Sequence, residues 1–148
     1  MTNIELEGYD IYHTASKTSK GGTAIYINSN FKSIERNDLI VNEGEFESTW
    51  TEIKNARSKN IVVGCIYRHP HNNFEDFFQY LDKCLSKLAN ENKEVYICGD
   101  FNFDLLKLDS DNNTQHFFNL LSSYGFLPHI TQPTRVTDNT ATVTDINI

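Results

Sequence analysis

Residues Glu94 to Leu106 read EVYICGDFNFDLL, an apolar run that opens directly into Gly99-Asp100-Phe101-Asn102. A strand ending this way delivers a carboxylate and an amide two residues apart, on one face if extended geometry persists. Asp100 could take a proton from a water or position it for in-line attack. Asn102 could orient that water, or a phosphoryl oxygen, without adding a repulsive charge. Gly, Asp and Asn also end strands as turn residues, and the four letters alone suit that role as well.

A second strand end carries similar groups. In Ile66-Tyr67-Arg68-His69-Pro70 a phenol and a guanidinium could both donate to phosphate oxygens. The plainer reading has Tyr67 capping the core and Arg68 on the surface. His69 and His71 flank a proline without nearby cysteine or carboxylate ligands, which suits a loop better than a zinc site. Asp104, Asp109 and Asp111 lack the glycine and closing glutamate of a calcium loop and read as a solvated acidic loop. Gln132 to Thr137 leads into Thr140 to Asp145, whose alternation predicts a terminal strand. That strand brings Asp145 towards a sheet edge, as a second acid or as a hydrogen-bonding group near the C-terminus.

The elements that must position these groups follow from periodicity. Strands are expected at Tyr9–His13, Thr23–Ile27, Ser48–Ile53, Ile61–Tyr67 and Glu94–Cys98, with Lys20-Gly21-Gly22 turning into the second. Ile61–Tyr67 and Val95–Cys98 are nearly unbroken apolar runs, as for strands covered on both faces. Phe74, Phe77, Phe78, Leu81, Leu85 and Leu88 recur at helical spacing and predict a helix over Asn73–Ala89, with Asn72 and Glu75 capping its start. A second helix is expected over Thr114–Tyr124, with Asn113 near its N-cap and Gly125 past its end. The sum is an α/β arrangement of the α+β kind, helices against β layers.

The chain has 148 residues, 39% of them hydrophobic, enough for one domain with a core. Its formal charge of −7 makes the whole-molecule field repel phosphate backbones, so a nucleic-acid site must be a local basic or metal-loaded patch. Three scattered cysteines without a C-x-x-C pair fit reduced thiols and an intracellular setting, nuclear or cytoplasmic. No stretch approaches the ~20 apolar residues of a membrane span, and the start has no signal-peptide pattern.

Taken in order, GGTAIYI, IYRHP, CGDFN and QPTRVT…TATVTD resemble the endonuclease/exonuclease/phosphatase superfamily, specifically the endonuclease domain of non-LTR retrotransposons. The resemblance covers the chain from Gly8 to Asp145. It implies a two-layer β-sandwich with flanking helices, here incomplete, and Mg2+- or Mn2+-assisted hydrolysis of DNA phosphodiesters. It further implies a reverse transcriptase domain in the same polyprotein. Residue by residue, Asp100 resembles the water-activating aspartate, Asn102 its partner asparagine, Tyr67 the active-site tyrosine and Asp145 the later acid. Asp100 and Asn102 would be the metal ligands and Arg68 a phosphate contact. Family members begin with strands ending in an Asn and in the Glu that is the principal metal ligand, and Met1 falls after both. Ile148 precedes the family's Asp-His pair, and Thr144-Asp145-Ile146 replaces the usual Ile-Asp-His or Ile-Asp-Asn. The resemblance therefore implies one partial domain over residues 1–148, weak or inactive as a nuclease on its own. The alternatives are a non-catalytic remnant or binding module of a retroelement and, less favoured by the PTR segment, a small-molecule phosphatase or phosphodiesterase.

Overall fold

A computed structural model of the chain describes residues 5–18, 21–70, 73–138 and 140–148. In chain order the elements are β1 (Tyr9–Thr14), β2 (Thr23–Asn28), β3 (Ser33–Glu35), β4 (Phe46–Ile53), β5 (Ile61–Arg68), α1 (Phe74–Ala89), β6 (Glu94–Asp100), a 3-10 turn at Leu105–Lys107, α2 (Asn112–Ser123), β7 (Arg135–Val136), β8 (Ala141–Thr142) and β9 (Asp145–Asn147).

The main sheet has the order β3-β4-β5-β6-β9. Among the described residues only the β5–β6 pair is parallel, which is where α1 makes the crossover that such a pair requires. The antiparallel β1–β2 ribbon packs over β4 and β5, and β7–β8 forms a small separate ribbon. Threonines join the layers: Thr14 Oγ1 donates to the Ser48 carbonyl at 2.9 Å, and the Thr23 and Thr49 hydroxyls lie 2.8 Å apart. On the opposite face Phe77, Leu81 and Leu85 of α1 and Phe117 and Leu121 of α2 close over Trp50, Val62, Ile66 and Ile97. This is the expected two-layer β-sandwich with helices outside it.

Several local expectations change. β5 alternates between buried and half-buried residues, and Tyr96 on β6 is 46% exposed, so neither strand is fully covered on both faces. The aliphatic run in β5 reflects one dry face and one half-wet face. Asn73 caps α1, its side chain accepting from the Glu75 amide at 3.0 Å, while Asn72 and Lys20 lie outside the described residues. Asp111, not Asn113, caps α2 by accepting from the Thr114 amide at 2.7 Å. Asp104 accepts from the Leu106 and Val143 amides, so two of the three acids read as a solvated loop are caps and staples. The terminal strand breaks in two, Ala141–Thr142 pairing with β7 and Asp145–Asn147 with β6.

At the end of β4 away from Tyr67, Arg36 binds Asp38, Glu52 and Glu91 at 2.7–3.1 Å, and Lys93 bridges the same two glutamates. These charges, buried at Arg36 and Glu52, are tied to one another rather than to the strand ends that carry Asp100. In mid-sheet Trp50 lies across Gly64, its register partner, and donates to the Tyr80 hydroxyl at 2.9 Å. A Cβ at Gly64 would fall inside the Trp50 ring's contact distance. Gly64→Ala should therefore cost about 2–3 kcal/mol through overpacking, checked by urea unfolding with an unchanged m-value.

Candidate active site

The main sheet brings three of the predicted residues into one row. Tyr67 at the end of β5 pairs with Asp100 at the end of β6, and Asp100 pairs with Asp145 at the start of β9. Directly paired residues point to the same face of a sheet, so the phenol and both carboxylates share a face at one rim. Tyr67 and Asp100 are half-buried and Asp145 is exposed.

Asn102 joins them by a different route from the one its spacing suggested. The strand stops at Asp100, and Asn102 has φ +52°, a left-handed conformation that asparagine tolerates better than most side chains. Its backbone N–H donates to Asp100 Oδ1 at 3.2 Å, a turn closed by the carboxylate itself. Its side-chain Nδ2 donates to the Arg68 carbonyl at 2.6 Å. Phe101 and Phe103 anchor the turn from below, both buried and both packed on Phe77 and Phe117. Gly99 makes the approach to β5 possible: with φ +149° it runs so close that a Cβ would overlap the Ile66 carbonyl oxygen.

Arg68 corrects an expectation. It is 2% exposed and turned inward, away from any phosphate in the row. Its Nε donates to the Phe101 carbonyl at 2.7 Å, its Nη2 to the Asn102 carbonyl at 2.8 Å and its Nη1 to the His69 carbonyl at 3.1 Å. The guanidinium lies over the Phe74 and Phe103 rings, 4.9 and 4.3 Å from their centroids. Burial lowers its pKa to about 10 while Asp100 acts the other way, so it stays cationic at neutral pH. Its work is to hold the Asp100–Asn102 turn against the end of β5.

An exposed guanidinium does stand near the row. Arg135 on β7 acts electrostatically on Asp100 and has no ion-pair partner among the described residues. The signal was present in QPTRVT, but nothing in a linear reading separates an outward Arg from an inward one. Two further neighbours escaped the reading of the sequence. Glu47 on β4 pairs with Tyr67 and extends the row by one strand, and His69, read as a loop residue, packs its ring edge-on to Tyr67 at 4.7 Å. Glu47 could have been suspected as the acid at position two of FESTWTEI, on the face shared with Thr49 and Thr51. His71 lies outside the described residues.

Burial pushes the Asp100 carboxyl above its ordinary value, the Asn102 amide offsets this, and the Asp145 charge adds to it. Two crowded carboxylates on adjacent strands suit a hard divalent cation with oxygen ligands. Among the described residues no group of three or more His, Cys, Asp or Glu is arranged to hold a metal. Asp100 and Asp145 are the oxygen donors here that could hold a largely hydrated divalent cation. The Asn102 amide, expected as a ligand, spends its Nδ2 on the Arg68 carbonyl, leaving its oxygen as the group that could contribute. Cys65 and Cys98 pair in register two residues back along the same strands as free thiols, half-buried and raised in pKa by that burial.

A family profile described as "Endonuclease/Exonuclease/phosphatase family" matches residues 2–146. No curated protein matches the chain in sequence. Among solved structures it is similar to the endonuclease domain of TRAS1, a telomere-specific non-LTR retrotransposon, with TM-score 0.73 and 13% identity over 96% of this chain and 65% of that one. It is similar also to the human Nocturnin catalytic domain with bound sulfate, with TM-score 0.58 and 16% identity over 95% and 59%. A family protein from Bacteroides thetaiotaomicron gives TM-score 0.58 and 13% identity over 96% and 59%. At these identities the likeness is one of fold, and the chain spans 59–65% of the length of these three structures.

A carboxyl whose pKa is higher folded than unfolded weakens the fold once it ionises. Wild type should therefore lose stability relative to Asp100→Asn as pH rises through the folded pKa of Asp100. Asp100→Asn keeps the oxygen that accepts from Asn102. It should melt higher than wild type at pH 7, with the gap closing as pH falls towards and below 3.8, the ordinary value of the group. Thermal melts at pH 3, 5 and 7 check the sign.

Proposed function

The chain belongs to the endonuclease/exonuclease/phosphatase family, and from that footing we propose that it is a phosphodiester-cleaving segment of a DNA endonuclease of the retrotransposon kind. The observation that supports this best is the in-register row of Tyr67, Asp100 and Asp145, with Asn102 turned back onto Asp100. In this reading Asp100, its carboxyl raised above the ordinary value by burial, orients and deprotonates the attacking water. Asn102 presents an uncharged amide beside it, and the Tyr67 phenol donates to a phosphoryl oxygen whose charge grows in the transition state. Arg135 takes the phosphate-contact role first given to Arg68. Asp100 and Asp145 would hold a magnesium or manganese ion, which when bound supplies charge neutralisation at the phosphate. DNA is the proposed substrate and a reverse transcriptase domain the proposed neighbour in a longer polyprotein.

One observation favours a second reading, a binding module without turnover: apart from the buried Glu47 the row offers two carboxylates, few for a metal that must also be held while substrate exchanges.

Nicking of supercoiled plasmid by the purified chain separates the two. The enzyme reading expects slow Mg2+-dependent conversion to open circle, reduced at least a hundredfold by Asp100→Ala. Mg2+-dependent DNA binding with no nicking would establish the module. Arg135→Ala should weaken DNA binding and lower the slope of log affinity against log salt by about one, as for one lost phosphate contact. An unchanged slope in a fluorescence-anisotropy titration would remove Arg135 from the interface.

A further inference from the structure

Glu47 is an anomaly in the fold. Its carboxylate is wholly buried in the middle of a sandwich, where a charged group is costly unless it is paired. Ser16 Oγ donates to its Oε1, and His69 Nε2 lies 3.2 Å from the same oxygen. Oε2 has no partner among the described residues. A neutral residue of the same size would serve stability better, so the carboxylate calls for another explanation.

Its neighbours supply one. Glu47 is the register partner of Tyr67, and His69, which it holds, packs edge-on to the Tyr67 ring at 4.7 Å and 75°. The chain at Gly21 also closes on both rings. A Cβ there would meet Tyr67 Cε1 at 3.0 Å and His69 Cε1 and Nε2 at 3.2 Å, and φ is +113°. The Tyr67 ring is therefore packed by a histidine held to a buried carboxylate and by a backbone segment where a side chain would press on both rings.

We propose that Glu47 and His69 are positioning residues for Tyr67: Glu47, seconded by Ser16, fixes the His69 ring, and His69 fixes the tilt at which the Tyr67 phenol enters the row beside Asp100. This rests on the reading of Tyr67 as a residue that faces the phosphate. Neither residue touches the reacting atoms, and both act through the tyrosine.

A double-mutant cycle tests that dependence. Tyr67→Phe, His69→Ala and Glu47→Gln should each lower kcat for nicking about tenfold with KM within about twofold, and Tyr67→Phe/His69→Ala should lose about tenfold rather than a hundredfold. Additive losses overturn the proposal, because His69 would then act independently of Tyr67. A second readout does not need turnover: the aromatic NMR signals of Tyr67, assigned by their loss in Tyr67→Phe. In Glu47→Gln and His69→Ala, with circular dichroism unchanged, those signals should move together, and Ser16→Ala should move them in the same direction by less. Signals that stay in place in both folded variants overturn the proposal whatever the chain does to DNA. A wild type that does not nick while the signals move overturns the enzyme reading and leaves the positioning of Tyr67 established.

Discussion

Arg68 carries a positive charge into the most aromatic part of the interior, and the strand ends are arranged around it. Three carbonyl oxygens, of Phe101, Asn102 and His69, accept from its guanidinium, while Phe74 and Phe103 lie against its faces. Asn102 returns the contact by donating to the Arg68 carbonyl. The turn after β6 and the end of β5 are thus cross-linked in both directions. A planar cation with several fixed donors can satisfy carbonyls that no sheet ladder reaches, which lysine's single ammonium could not do in the same geometry. Asp100 and Tyr67 occupy neighbouring strand ends because this lock holds the ends together.

The layers around the lock divide the work. Apolar side chains of the helices bury one face of the main sheet, and that burial supplies most of the driving force for folding. The other face, covered over β4 and β5 by the β1–β2 ribbon, is built of threonines, half-buried cysteines and the row of polar groups. The Arg36–Glu52–Glu91–Lys93 network lies towards the opposite end of β4 and keeps its charges to itself. Charge is therefore sorted along the strands: neutralised at one rim and crowded at the other, where burial and then the Asp145 charge raise the pKa of Asp100.

Much of this was legible in the sequence, for identifiable reasons. The α1 stripe from Phe74 to Leu88 and the apolar runs of β5 and β6 are periodic signals that depend on local geometry, and they place the helices and central strands to within one or two residues. CGDFN and IYR could be recognised as strand ends because turn residues follow apolar ones. What could not be read depends on pairings distant in sequence. Whether Arg68 points in or out is decided by Phe101 and Asn102, more than thirty residues away. Glu47 belongs to the row only through its register with Tyr67, and neither its chemistry nor its spacing announces that register. The break between β8 and β9 is hidden because TATVTD alternates as a strand does, while the fold uses its middle to cross from one ribbon to another sheet.

The short strand β9 shows how an acid can be placed by residues that are not acidic. Asp145 meets Asp100 through a run of only three register pairs, and the same segment buries Ile146 and Ile148, which are 1% and 4% exposed. A slip of one position would turn those isoleucines out into water and carry Asp145 to the wrong side. The hydrophobic residues thus act as the ruler for a polar position: they measure out where the carboxylate stands, and the cost of wetting them keeps the measurement fixed. A change at Ile146 or Ile148 could in this way alter the chemistry of the rim without touching a single charged group.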